Sequence, residues 1–333
     1  MTQTQISRPA PALTYHLAHR PDTLEGLMNG TTAALPQEFG LSLSLPEDHP
    51  LYTDGDSRHH DLHVPVEVLR RSALFVAHRY FRVPAERPVV FAATEIEAAP
   101  VDAWRRGAGA GPAHLELDLV LEPADVVGGV PRGLECRAAL RIDGADSGSA
   151  AARLVFLMPK VYQNHRRRGR ALSSADGETS GSASSAAFLT GVPAPVEAGR
   201  VGRADPANVV VGDCEEGPND TLVLQVAAEP GHPVYAEGAP DHVPSVVLLE
   251  ASRQTSLLHA ATLGGFSPAD SVLTRWSASF QGFAEPDLPL TCTSTGGCAT
   301  RDAQGRPVRE FVLHFAQGAR RIGVIRTSVL QLC

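Results

Sequence analysis

One segment of this chain occurs twice. Sliding the sequence by 183 positions places His49-Pro50-Leu51-Tyr52, Gly55, His59, Glu67, Arg70, Leu74 and Ala77 on His232-Pro233-Val234-Tyr235, Gly238, His242, Glu250, Arg253, Leu257 and Ala260, without a gap. The same offset pairs Arg20 with Arg203, Asp22 with Asp205 and Leu41 with Leu224. Self-similarity at a fixed offset marks a duplicated structural unit. A chain of 333 residues also has the length of two domains of about 150 residues each. Two like domains are therefore expected, at 12–163 and 193–333, joined by a linker over 164–192.

Each half follows one order. Leu41-Ser42-Leu43-Ser44-Leu45 and Leu222-Val223-Leu224-Gln225-Val226 carry the alternation of half-buried strands. A His-Pro-x-Tyr loop follows, then Val64 to Tyr80 and Ser245 to Thr262, which lack glycine and proline after the first turn and are expected to be helices. Strands are expected at Val89 to Ile96, His114 to Leu121, Leu134 to Ile142 and Ala152 to Met158. In the second half they are expected at Val272 to Phe280, Leu288 to Thr293, Val308 to Phe315 and Arg321 to Leu330. Turns such as Ile142-Asp143-Gly144-Ala145 separate them. One helix followed by a meander, twice over, gives an α+β fold with a helix laid on a curved antiparallel sheet in each half. The linker consists of the run Asn164 to Arg170 and then a Ser-, Gly- and Ala-rich stretch.

Composition narrows the function classes. A net charge of −8 argues against wholesale binding to nucleic acid or an anionic membrane. No apolar run approaches a membrane span and the N-terminus lacks a signal-peptide pattern, so a cytoplasmic protein is expected. Cys136, Cys214, Cys292, Cys298 and Cys333 form no CxxC pair, which argues against disulfides and a structural zinc site. No nucleotide-binding glycine loop, GxSxG elbow or HExxH helix is present. No metal or cofactor is expected.

Chemistry is expected on the second helix. Glu250 and Arg253 lie three apart and share a face, in a helix apolar enough to be buried, where unpaired charges cost several kcal/mol. Two readings follow. The pair is an internal ion pair that fixes the packing of the two repeats, or it is a carboxylate base beside an anion-binding arginine. The second is favoured, because Asp241, His242 and His232 are expected near the helix start, whose free N–H groups suit an oxyanion. The first half repeats Glu67 and Arg70 but has Arg71 where the second has Gln254, Arg58 for Asp241 and Asp61 for Pro244. The working site is thus expected in the second half.

The block Asp241-His242-Val243-Pro244 to Glu250, Arg253 and Gln254, with His60-Asp61, Glu67, Arg70 and the stretch Ala77-His78 to Val83-Pro84, resembles the A-factor biosynthesis (AfsA-like) proteins, a tandem hotdog family of actinomycetes. The resemblance spans nearly the whole chain. It implies an acyltransferase that joins a β-ketoacyl group, carried by an acyl carrier protein, to the hydroxyl of dihydroxyacetone phosphate, towards a γ-butyrolactone or furan signalling molecule. On it, Glu250 and Arg253 are the primary site candidates, with Glu67 as the first-half counterpart; His242, from its place near the helix start, completes the catalytic candidates, with Glu250 as general base and Arg253 binding phosphate or orienting the carboxylate. Asp241, Gln254, His232, Glu67, Arg70 and Arg71 are the substrate-binding candidates. The run Arg166 to Arg170 is a candidate docking patch for the acidic carrier protein. The chain departs from the family's His-Asp-Pro pattern with Leu62, and from its usual glutamine with Arg71. A monomeric pseudo-dimer or a homo-oligomer fits equally. Two competing readings are a hotdog dehydratase or thioesterase, and a non-catalytic acyl- or lactone-binding regulator.

Overall fold

The computed structural model describes residues 13–20, 35–55, 58–107, 111–175, 193–227 and 241–332. The first half runs through β1 (His16–Arg20), β2 (Gln37–Ser44), helix α1 (His63–Arg79), β3 (Val89–Ala98), β4 (His114–Ala124), β5 (Gly133–Ile142) and β6 (Ala145–Phe156). Helix α2 (Pro159–Ala175) follows. The second half holds β7 (Val211–Gly217), β8 (Thr221–Val226), helix α3 (Ser245–Gly264), β9 (Ser271–Phe280), β10 (Thr291–Gly296), β11 (Thr300–Arg301), β12 (Pro307–Gln317) and β13 (Arg320–Gln331). Among the described residues no helix is long and apolar enough to cross a membrane.

The strands follow their side-chain pattern. In β4 every second residue, Leu115, Leu117, Leu119 and Leu121, is buried, and in β5 Leu134, Cys136, Ala138 and Leu140 are, which is the period of a pleated sheet with one packed face. Helix α3 is buried on nearly all sides, from Val247 to Ala251 and again over Gln254 to Ala260, as a helix wrapped by a curved sheet must be. It ends at Gly265 in the left-handed conformation. Each half is a helix on an antiparallel sheet, the tandem hotdog arrangement.

The two sheets are one. Strands β3 and β9 pair antiparallel, from Ala93 opposite Ser279 to Glu97 opposite Arg275, and join both halves into a single sheet. The edge of one half is thereby closed by the other, removing the exposed strand edge each would carry alone.

The arginine run expected in a linker is helical instead. Helix α2 is held by ion pairs across to the second half. Arg166 binds Glu285 at 2.7 Å and Asp241 at 2.8 Å, while Arg170 binds Glu285 at 3.2 Å and also Asp287. Residues 176–192 lie outside the described set. Strand β10 begins at Thr291, later than the expected Leu288.

The loop at 49–55 docks on the second half. Asp54 accepts hydrogen bonds from the backbone N–H of Ala204 and Asp205 and from Asn208, which also donates to Pro50 O at 2.7 Å. Gly55 closes the loop at φ +99°, and a Cβ there would sit 2.8 Å from Gly202 O. Gly55→Ala is expected to cost about 1–3 kcal/mol in urea unfolding. An unchanged midpoint would show that the loop is not docked.

Candidate active site

Glu250 is completely buried one turn into α3 and receives five hydrogen bonds. Arg203 grips it with Nε and Nη2 at 2.8 and 2.7 Å, Arg253 with Nε and Nη2 at 3.1 and 2.9 Å, and Gln254 Nε2 donates at 2.6 Å. Paired guanidinium forks of this kind are the strongest hydrogen bonds a carboxylate makes. Burial pushes the Glu250 carboxyl up, but the charges of Arg203 and Arg253 outweigh it and hold it well below the ordinary carboxylate range.

Arg203 continues across the interface. Its Nη1 donates to Leu51 O at 2.5 Å, and its Nη2 lies 3.5 Å from Asp61 Oδ2, both in the first half. Asp61 sits at the start of α1, where its Oδ1 accepts from the backbone N–H of His63 at 3.0 Å and meets His63 Nδ1 at 2.9 Å. The His63 ring, packed edge-on against Trp276, places Nε2 3.6 Å from Glu250 Oε2. Asp61, His63, Glu250, Arg203 and Arg253 thus form one buried network built from both repeats.

Above this network lies a cleft between the halves. Its apolar lining, here called the apolar wall, includes Leu257, Pro268, Ala269, Val272, Leu273 and Trp276. Its polar lining, the polar wall, includes His59, His60, Asp61, Arg106, Arg203 and Arg253. A short antiparallel bridge sets this polar wall. His59 pairs with Arg105, His60 N–H donates to Trp104 O at 2.8 Å, and Arg106 N–H donates to Arg58 O at 2.7 Å. Trp104 is itself buried and bound to Ser147 O. Burial, reinforced by Arg106, lowers the His60 pKa to about 4, so its ring is neutral at pH 7, and its Nε2 makes no hydrogen bond.

The expected catalytic residues differ in their surroundings. Glu250, expected to accept a proton, has both oxygens on guanidinium groups and its carboxyl held below the ordinary range. His242 was expected beside it, yet His242 and Asp241 face helix α2. Asp241 takes Tyr162 OH at 2.6 Å and His242 Nδ1 at 2.8 Å, and His242 packs on Phe283. Neither lines the cleft. Arg253 does line it, with Nε and Nη2 committed to Glu250 and Val201 O.

The expected substrate-binding residues are likewise redistributed. Gln254 is buried behind Glu250 and also bonds Val210 N and Asn208 O. Glu67 is gripped by Arg70 at 2.7 Å and Arg71 at 2.6 Å, and this trio does not line the cleft. His232 lies outside the described residues. The docking patch is also reduced, since Arg166 and Arg170 are neutralised by Glu285, Asp241 and Asp287.

The chain matches the A-factor biosynthesis hotdog domain (AfsA) over residues 1–158 and 184–331. It belongs to that family. Its relatives include proteins named 2-oxo-3-(phosphooxy)propyl 3-oxoalkanoate synthase from three Streptomyces species. The Streptomyces coelicolor protein is 29% identical over 77% of this chain and 73% of its own length. The Streptomyces virginiae protein is 26% identical over 82% and 83%, and the Streptomyces griseus protein 28% over 68% and 68%.

Within this family member the two repeats have diverged at one arginine. Arg203, which the repeat offset pairs with Arg20, reaches the buried Glu250, whereas Arg20 ends on Asp118 with its side chain 56% exposed. Arg71 supplies Glu67 with a second cation, while Gln254 occupies that position beside Glu250. The offset made Arg203 visible as a repeated residue. The family resemblance included His60-Asp61 without giving His60 a role, and no pattern in the sequence marked Arg106 for the cleft or His63 for the buried network, because they come from a loop and a helix start without periodicity.

Removing Arg203 leaves Glu250 half-paired in the interior, so Arg203→Ala is expected to cost about 3–5 kcal/mol in denaturant unfolding. A loss under 1 kcal/mol, the typical effect of an exposed pair, would contradict the network. The pH dependence has a definite sign. A carboxyl whose folded pKa lies below its unfolded value of about 4.3 stabilises fully above that value, and the contribution is lost as pH falls through the folded one. Urea midpoints below about pH 5 should therefore fall less steeply in Glu250→Gln than in the wild type. Equal slopes would mean that Glu250 titrates normally.

Proposed function

We propose that the chain transfers a β-ketoacyl group from the thioester of an acyl carrier protein to the hydroxyl of dihydroxyacetone phosphate, in the cytoplasm, towards a butyrolactone- or furan-type signal. The observation that carries the reading is the mixed lining of the cleft, whose apolar side chains suit an acyl chain and whose imidazole and guanidinium groups suit a phosphorylated alcohol. The relatives' name describes a product of that composition, an oxoalkanoate ester of a phosphooxypropyl unit.

In this mechanism the chemistry belongs to the cleft wall. The neutral His60 imidazole accepts the hydroxyl proton as the alcohol oxygen attacks the thioester carbonyl. Arg253, held rigid by Glu250, stabilises the developing oxyanion with its remaining guanidinium N–H groups. The C–S bond then breaks, and the thiolate recovers the proton from His60. Glu250 takes no proton; it fixes the position of both arginines. The carrier protein, acidic itself, is proposed to dock through the exposed part of α2, where Arg167 and Arg168 remain at the surface.

The reading is tested by incubating the purified protein with a β-ketoacyl thioester, with and without dihydroxyacetone phosphate, and measuring the ester by mass spectrometry. Ester that appears only with the alcohol supports it. Thiol release indifferent to the alcohol would point to a thioesterase. His60→Gln is expected to lower kcat by about a hundredfold or more. With dihydroxyacetone, which lacks the phosphate group that itself titrates at about pH 6, kcat/KM of the wild type should hold as pH falls to 5 and drop only through about 4. An acid limb near the ordinary histidine value of about 6.5 would remove His60 as the base.

A further inference from the structure

The cleft contains three guanidinium groups, and they are not equivalent. All three nitrogens of Arg203 are engaged, by Glu250, Leu51 O, Asp54 O and Asp61. Arg253 has Nε and Nη2 committed to Glu250 and Val201 O. The Arg106 side chain has only one hydrogen-bond partner among the described residues: its Nη2 donates to Tyr52 O at 2.8 Å, while its Nε is buried without a hydrogen bond. A buried donor left unmade costs desolvation, unless a ligand completes it. The carboxylates on the same wall cannot do so. Asp61 is taken by His63 and Arg203, and Asp54 by Ala204 N, Asp205 N and Asn208.

We infer that Arg106 is the phosphate-binding residue of the cleft, its unspent Nη1 donating to a phosphate oxygen beside His60. This rests on the proposed reaction, and it moves the anion-binding role from Arg253, where the sequence put it, to the first half. The placement is built in. Arg106 is fixed by its backbone bond to Arg58 O and by buried Trp104 two residues before it, and its charge is felt by His60. A small phosphorylated alcohol anchored there by its phosphate presents its hydroxyl end to the neighbouring imidazole. The base and the anion site are thus supplied together by the bridged segments 58–60 and 105–106, while the second half supplies the acyl wall. A dianion beside His60 also raises the affinity of that ring for the proton it must accept.

The test compares dihydroxyacetone phosphate with dihydroxyacetone, which lacks only the phosphate, in the full-length wild type and in Arg106→Gln. The ratio of kcat/KM for the two alcohols should fall about tenfold or more in Arg106→Gln, with the loss appearing in the KM for the phosphorylated substrate. Arg106→Lys, which keeps the charge and loses the planar guanidinium, should fall in between. A ratio equal to wild type in either variant would overturn the assignment. A merely structural role would depress both alcohols alike and leave the ratio fixed. Calorimetric titration with dihydroxyacetone phosphate reads the subsite without turnover. If the wild type binds it, Arg106→Gln does not, and no ester forms in either, the subsite stands and the transfer reaction falls. If ester forms and Arg106→Gln and Arg106→Lys bind and use the phosphate substrate as the wild type does, the reaction stands and the subsite falls. If the wild type neither binds it nor forms ester, both fall.

Discussion

The arrangement depends on one buried carboxylate, Glu250, held by Arg203 and Arg253. A charge in a hotdog helix is tolerable only when paired and fully hydrogen-bonded, and this one is satisfied by its own helix and by a residue whose other hydrogen bonds run into the opposite repeat. Arg203 binds Leu51 O and approaches Asp61 as well as Glu250. The loop of one half therefore cannot shift without exposing a charge buried in the other. That coupling fixes the polar wall of the cleft against its apolar wall. The shared sheet, continuous through β3 and β9, gives the same registration at the level of the backbone.

Duplication followed by divergence explains why the two halves contribute unequally. Both repeats keep a Glu–Arg pair on the helix, but only the second recruits its repeated arginine inward. Arg203 stays in the interface, whereas Arg20 meets Asp118 at the surface. The cleft's ionisable residues other than Arg203 and Arg253 come from the first half, Asp54, His59, His60, Asp61 and Arg106 among them, and its apolar wall comes from the second. The proposed reaction needs such a division, since an acyl chain and a phosphorylated alcohol must meet end to end.

Much of the fold was legible in the sequence because periodicity and repetition are local signals. The offset of 183 positions identified two like halves, and the breaker-free runs located both central helices. Helix α2 was not legible: its arginine-rich sequence has the composition of a linker, and its position is set by ion pairs to Glu285 and Asp287, over a hundred residues away. At the site, the spacing of Glu250 and Arg253 correctly paired them. It could not decide between an ion pair and a base, because that depends on the second cation brought by Arg203. The pairing of His60 with Arg106 was hidden for a related reason, since a bridge of a few residues between distant loops leaves no pattern in either segment.

The central claim is that Glu250 anchors the interface and does not accept protons. A double-mutant cycle in denaturant unfolding with Glu250→Gln and Arg203→Met, with turnover measured on each variant, tests it most directly. The account predicts that both single variants are destabilised and that the double variant differs from their sum by about 0.5–3 kcal/mol. Additivity within about 0.5 kcal/mol, together with a Glu250→Gln protein as stable as the wild type but without turnover, would contradict it and restore Glu250 as the base.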